Sequence, residues 1–343
     1  MNRLITILLL ISISVTVSCQ NLKKANVKKR SKKTEKVIGT YDSPISPKNY
    51  QSILGKGIDV TWAESKKGIA NFNSKMVKDF KQSGLEHIRI RVKDYPDNIL
   101  LSHLTKVVNE CLANDLIPII AYHGGAFEEI PTMENLDKSV DWWRKVSDHF
   151  KNYTHKVSFD LIIEVTDALN KENEMLNLFY EKATTEIRKY NPTRIVMISP
   201  RVRSAPEYLK DLKIPTQHNN YLMAEWHFYA SGPDKENPLK KWTSGTDEEK
   251  ELIRAKIKTA LTWQNQTGIY TWVGAWMAGN YNKGDDYTVN EQVVFASFVV
   301  CELTKNKIPF AFNADQKYYD SQKNEWIENV KPVYDEIIKT NCK

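Results

Sequence analysis

The sequence predicts a (β/α)8 TIM barrel, α/β in class and single-domain, and three observations predict it. Eight short runs rich in apolar, β-branched and aromatic residues recur along the chain. Amphipathic stretches of helical period separate them. The repeats fill about 290 residues, roughly the length such a barrel takes. Strands alternating with helices build right-handed crossover units and hence a parallel sheet. An open doubly wound sheet is the alternative for this order, but no glycine-rich phosphate loop follows an early strand.

Taken in order, the strand candidates are GIDVTW at 57–62, HIRIRV at 87–92, IPIIAYH at 117–123 and FDLIIEV at 159–165. They continue with RIVMIS at 194–199, YLMAEWHFY at 221–229, IYTWVGAW at 269–276 and IPFAFN at 308–313. Each is short, β-branched or aromatic, and too brief for a buried helix. The intervening segments 101–114, 137–151, 173–189, 247–267 and 289–305 repeat their apolar residues with the helical period. Trp142 and Trp143 fall on one of these helices and read as packing residues.

What precedes the barrel is of another kind. Residues 1–19 hold Arg3, an apolar run from Leu4 to Val17, then Ser18 and Cys19, the layout of an export signal too short to span a membrane. Thr16-Val17-Ser18-Cys19 resembles a bacterial lipobox, which implies a lipidated Cys19 and, with Gln20 following, an outer-membrane lipoprotein facing the periplasm or the surface. An ordinary cleaved signal is the alternative. Residues 20–48 are Lys-rich and poor in apolar residues, so they read as a disordered tether, and the barrel is expected over 49–343.

The charge follows this division. Of the net +7, residues 20–36 carry eight Lys or Arg against one Glu, which leaves 37–343 close to neutral. A nucleic-acid partner is therefore not expected, and the lipid anchor is the expected membrane contact. At 41% apolar, 27% charged and 10% aromatic residues, the rest is ordinary globular composition with aromatics enough to line a cleft. Cys111, Cys301 and Cys342 are scattered and odd in number, with no disulfide framework or metal spacing, and the two in helix-like stretches, Cys111 and Cys301, read as buried thiols. No cofactor or metal is expected, and a monomer is.

In such barrels the chemistry sits at the C-terminal ends of the strands. Those ends are polar and aromatic here: Trp62, Arg89, Arg91, His123, Asp167, Arg201, Glu225, His227, Tyr229, Trp276, Asn313 and Asp315. Several match a family. Ile88-Arg89-Ile90-Arg91 corresponds to a V-R-I-P run, His123 to the first His of a D-L-H-H run, and His227-Phe228-Tyr229 to H-x-Y. Residues 163–169, IEVTDAL, followed by 187–194, IRKYNPTR, keep the spacing of F-E-I-x-N-E-P and I-R-x-x-N-P-x-R. On these runs the chain resembles the cellulase-like glycoside hydrolases of family 5, across most of residues 55–315. The opening GIDVTWAE is also similar to galactanases of the same clan.

The resemblance implies a polysaccharide or oligosaccharide ligand and a retaining mechanism with two glutamates, one after strand four and one at the end of strand seven. Ala168 and Ala275 occupy those two positions. Retaining cleavage needs two carboxyl groups roughly 5–5.5 Å apart, and a methyl group replaces neither. A one-residue shift in register would bring Asp167 to the acid position.

The candidate catalytic groups are therefore Asp167, Glu225 and His227, with Glu225, His227 and Tyr229 on one face of strand six. Glu225 is either a displaced acid or base, or an internal ion pair with Arg89 or Arg91. Glu164 reads as an ion pair inside the barrel. Expected sugar contacts are Arg89, His123 and Tyr229, stacking platforms Trp62 and Trp276, and Asn280 in the polar loop after strand seven. Glu172 or Glu174 could supply a carboxylate from a loop. The resulting expectation is a carbohydrate-active barrel with an altered mechanism, hydrolase or lyase; the alternative is a glycan-binding lipoprotein without turnover.

Overall fold

The computed structural model describes residues 42–229, 242, 244–278 and 287–342. Eight parallel strands close a barrel in chain order: β1 (Lys56–Ala63), β2 (His87–Val92), β3 (Ile117–Tyr122), β4 (Ser158–Asp160), β5 (Val196–Ile198), β6 (Leu222–Tyr229), β7 (Tyr270–Met277) and β8 (Phe310–Phe312). β8 pairs with β1 to complete the ring. Beyond it, β9 (Tyr319–Asp320) and β10 (Glu325–Trp326) form a small antiparallel pair.

The strand alternation sorts residues by chemistry. Ile58, Val60 and Trp62 of β1 and Ile88, Ile90 and Val92 of β2 belong to the large apolar cluster shared with the helices. Asp59, Arg89 and Arg91 occupy the intervening positions and line the interior cavity. The helices supply matching stripes. On Asn98–Ala113 the buried residues are Leu100, Leu104, Val107, Val108 and Cys111, one helical face. Trp142 and Trp143 are buried on Met133–His149, and their indole N–H groups donate to the carbonyls of Asp94 and Leu161. Between β5 and β6 the outer layer thins to a short turn at Arg201–Ser204 and the 3-10 segment Pro206–Asp211.

The folded body extends further toward the N-terminus than composition suggests. Asp42 accepts hydrogen bonds from the His155 backbone N–H and the Thr154 hydroxyl, and Pro47–Leu54 is a helix capped by Ser46. Its Tyr50 and Leu54 join Ile117, Ile119, Met197, Met223 and Trp272 in a second apolar cluster, and the Tyr50 hydroxyl donates to the Lys156 carbonyl. Composition alone misses this because only the Asp42 hydrogen bonds and the packing of Ile45 tie down an otherwise polar segment ahead of residue 49. Cys19 lies outside the described residues.

The matched run at 187–194 proves structural. Arg194, 1% exposed, donates to the carbonyls of Thr154, Val157, Phe150 and Tyr153, and Arg188 donates to those of Asn191, Arg194, His218 and Tyr221. Two planar forks thus satisfy loop carbonyls that burial would otherwise strand.

The cysteine expectation needs correcting. Cys301, on helix Val289–Lys305, and Cys342 form a disulfide, while Cys111 is free and buried. They lie 41 residues apart, so spacing carries no signature of the pairing. Closing a loop of that length restricts the unfolded chain by about 3–4 kcal/mol. Among the described residues no helix is long and apolar enough to cross a membrane.

Candidate active site

At the C-terminal mouth of the barrel lies a cavity of about 280 Å³ with a mostly polar lining. β1 and β2 contribute Asp59, Arg89 and Arg91; the segments after β3 and β4 contribute His123, Glu128, Ile163, Glu164, Thr166 and Asp167; Arg203, His227, Ala275 and Asn313 complete it.

Its deepest layer is organised on Arg89, which is fully buried. Arg89 donates through Nε to Asp160 (2.7 Å), through Nη2 to both oxygens of Glu225 (2.9 and 2.8 Å), and through Nη1 to the Gly274 carbonyl (3.2 Å). Asp59 lies 3.4 Å from Nη1. Burial opposes the Arg89 charge, but Asp160, Glu225 and Asp59 outweigh it and hold the guanidinium protonated. The same burial raises all three carboxyls: Asp160 well above the usual range, Glu225 to about 8, and Asp59 upward, each against the pull of Arg89. One guanidinium does not balance three carboxylates in a desolvated place, so protons are retained there.

Of the two readings of Glu225, the geometry supports the internal contact with Arg89 over a displaced acid or base. Its side chain is 0% exposed and gripped bidentately by Arg89. Gly274 shows how tight this packing is, since a Cβ there would lie 2.0 Å from Glu225 Oε2.

His227 bridges this layer to the mouth. Its Nε2 is 3.4 Å from Glu225 Oε1 and its Nδ1 3.4 Å from Glu164 Oε1. Burial holds it below the usual histidine value, with Glu164 pulling the other way. Glu164 is itself 3.4 Å from Arg203, the ion pair expected for it, yet it also faces the cavity. Arg91 donates to Glu64 (3.0 Å), and His123 Nε2 sits 3.9 Å from the same carboxylate. Asp167 adopts a left-handed backbone (φ 49°), is exposed at the rim, and accepts the Thr166 hydroxyl at 3.0 Å.

Two expected platforms are not at the site. Trp62 is 1% exposed, its ring packed against Phe72 and Phe80 on the outward face with Ile58 and Val60. Trp276 is 0% exposed and packs against Phe228, Phe295 and Phe310. The reason lies in β7, whose register slips by one residue between the pairs Trp226–Val273 and His227–Ala275. Such a bulge flips the parity that follows it. Ala275 therefore turns to the cavity and Trp276 to the helices. Neither loop alternative lines the cavity: Glu174 is exposed and bonds Lys213, and Glu172 leads into the helix Asn173–Arg188. The Tyr229 side chain and Asn280 lie outside the described residues.

Asp59 and Glu128 line the cavity without having been singled out in the sequence. Glu128 sits in the turn Ala126–Glu129 after β3, is 3% exposed, and accepts the Thr166 N–H through Oε1 at 2.9 Å. Burial, with Glu164 and Asp167 adding like charge, pushes it up to about 8 against the pull of that N–H. Gly124 (φ 78°) makes room for it, since a Cβ there would lie 2.5 Å from the Glu128 side chain. Two glycines directly after a strand, with acids following, are the only sequence trace of this re-entrant turn. Among the described residues no group of three or more His, Cys, Asp or Glu could hold a metal ion.

A closed parallel barrel with carboxylates, arginines and histidines gathered at the C-terminal mouth has its polar groups where (β/α)8 barrels carry their active sites. The chain matches the family model for cellulase, glycosyl hydrolase family 5, over residues 47–315, and it belongs to that family. It is 26% identical over 208 residues to endoglucanase H of Acetivibrio thermocellus, covering 57% of this chain but 22% of that longer protein. Among solved structures it is similar to an endoglucanase (22% identity, TM-score 0.73, 86% of this chain and 100% of the other). It is similar also to a hyperthermophilic endo-beta-1,4-glucanase in complex with substrate (25%, TM-score 0.72, 86% and 100%). The cellulose synthase subunit Z of Clostridioides difficile shares the fold at 21% identity (TM-score 0.71, 83% and 100%).

Proposed function

We propose that this chain takes a polysaccharide into the cavity at the mouth of the barrel and acts on it by a route other than the two-glutamate retaining mechanism. The observation that carries the reading is the cavity itself: its polar lining survives, while Ala275 stands in its wall where the resemblance places a nucleophile. Sugar hydroxyls are matched by Arg91, His123, Asp167, Arg203 and Asn313, which present donors and acceptors together. The names of the relatives, endoglucanases and an endo-beta-1,4-glucanase, support β-1,4-linked glycans as the first to test.

Loss of the retaining route rests on three features. Ala168 and Ala275 carry no carboxyl, and Glu225, the nearest replacement on β6, is fixed on Arg89 away from the open space. Retention requires a carboxylate free to bond the anomeric carbon. Binding without turnover is a second reading, favoured by that same Arg89–Glu225 contact.

A trapping experiment tests the central loss. Incubation with 2,4-dinitrophenyl 2-deoxy-2-fluoro-β-cellobioside should leave the intact mass unchanged, because no covalent glycosyl intermediate forms. An adduct mapped to any carboxylate of the cavity would show that a retaining nucleophile persists.

A further inference from the structure

We propose that Glu128, carried by the loop after β3, is the proton donor for cleavage of a glycosidic bond in this cavity. The inference rests on the polysaccharide reading above and goes beyond it by assigning a chemical step to a residue outside the family's paired glutamates.

The placement argues for it. Glu128 lines the cavity, and its Oε1 is tied at 2.9 Å to the N–H of Thr166, two residues before Ala168. A carboxyl from a neighbouring loop has thus been brought to the strand terminus from which the expected acid is missing. The turn accommodates this placement, since the left-handed Gly124 lets the Glu128 stem pass where any side chain would collide. Its hydrogen bond comes from a backbone N–H rather than from a cation, and Glu164 and Asp167 add like charge beside it. Burial and those like charges keep the proton on at neutral pH, the state a general acid needs. Glu164, across the same cavity lining, sits beside Arg203 and His227, so two nearby carboxyls have opposite electrostatic settings.

The step balances with water as co-reactant. The Glu128 O–H gives its proton to the glycosidic oxygen as the bond from the anomeric carbon to that oxygen breaks, and the bonding pair stays on the oxygen. A water oxygen forms the new bond to the anomeric carbon. Its surplus proton passes to the Glu164 carboxylate, and exchange with solvent returns Glu128 to the acid form. The net change is addition of water across one bond. Ala275, small where a nucleophile would stand, leaves space for the water.

The test compares the full chain with Glu128→Gln on cellohexaose and mannohexaose, with binding followed by calorimetry and products by mass spectrometry. Glu128→Gln should lower kcat by about 10²–10⁴-fold with little change in KM, and remove the alkaline limb of the pH profile. A 2,4-dinitrophenyl cellotrioside, whose leaving group departs without a proton, should be cleaved at similar rates by both proteins, which also shows that the variant is folded. Equal loss on both substrate types would mean a structural role and overturn the proposal. So would unchanged cleavage of the hexasaccharides, or a loss seen with Asp167→Asn instead. A wild-type chain that binds the sugars and releases no product would overturn the proton-donor assignment and leave the binding reading standing. A chain that binds neither sugar would overturn both for these glycans.

Discussion

Replacing Arg89 by methionine is expected to cost about 3–5 kcal/mol of folding stability, read as a lowered urea midpoint, and in a barrel of marginal stability this approaches global unfolding. Arg89 is the hub of the interior: it reaches Asp59 on β1, Asp160 on β4, Glu225 on β6 and the Gly274 carbonyl on β7. Methionine fills much of the volume but leaves three buried carboxyls and two carbonyls, those of Gly274 and Ile163, without their donor. The carboxyls would answer by taking up protons, so the loss should shrink as pH falls. Arg89→Met combined with Glu225→Met should recover part of the stability, because removing both partners leaves less charge stranded. A variant as stable as wild type at neutral pH would contradict this account of the barrel interior.

Between pH 6.5 and 8, stability is expected to fall as pH rises, opposite to the behaviour of a protein held by surface ion pairs. Glu128 and Glu225 are both pushed up to about 8 in the folded chain, against 4.5 for an unperturbed glutamate. In this window an unfolded glutamate has lost its proton and the folded one holds it. The folded state binds more protons, and each unit of pH removes up to about 1.4 kcal/mol per group. Asp160 and Asp59, also raised, act in the same sense. Below pH 6.5 a second trend enters, because His87, buried and lowered to about 4, takes a proton in the unfolded chain first. That contribution is lost as pH falls toward 4, so the optimum should lie near or below 6.5. Glu128→Gln removes one titrating group and should flatten the decline between pH 6.5 and 8 by about 2 kcal/mol. Urea midpoints across the range check this; identical slopes for variant and wild type would mean that Glu128 is ionised when folded.

Much of the fold was legible because it depends on periodicity. Eight β-branched runs became eight strands, with the expected range matching closely at His87–Val92 and the helical segments at 247–267 and 289–305 recovered in full. The interior was legible in kind but not in detail. Arg89 and Glu225 stand on strand residues that face inward, yet which of Arg89 and Arg91 would pair with Glu225 depends on register across the barrel, set by four strands at once. Trp276 shows the limit of counting alternate residues: one bulge in β7 turns it outward and brings Ala275 to the cavity. Trp62 shares its face with Ile58 and Val60, and its aromatic character obscured that parity. Glu128 was hidden because it lies in a four-residue turn with no period of its own, and Cys301 and Cys342 because no local pattern announces a bridge between a helix and the chain's end.

Calorimetric titration of wild type and Ala275→Phe with cellohexaose, mannohexaose and a panel of plant and algal polysaccharides shows whether the cavity walled by Ala275 receives a glycan. Wild type should bind at least one glycan saturably, and the variant, whose ring fills the cavity, should lose that binding while thermal melting reports an intact fold. Binding that survives in Ala275→Phe would place the glycan elsewhere, and a wild-type chain that binds nothing across the panel would mean that the cavity is no site for these glycans.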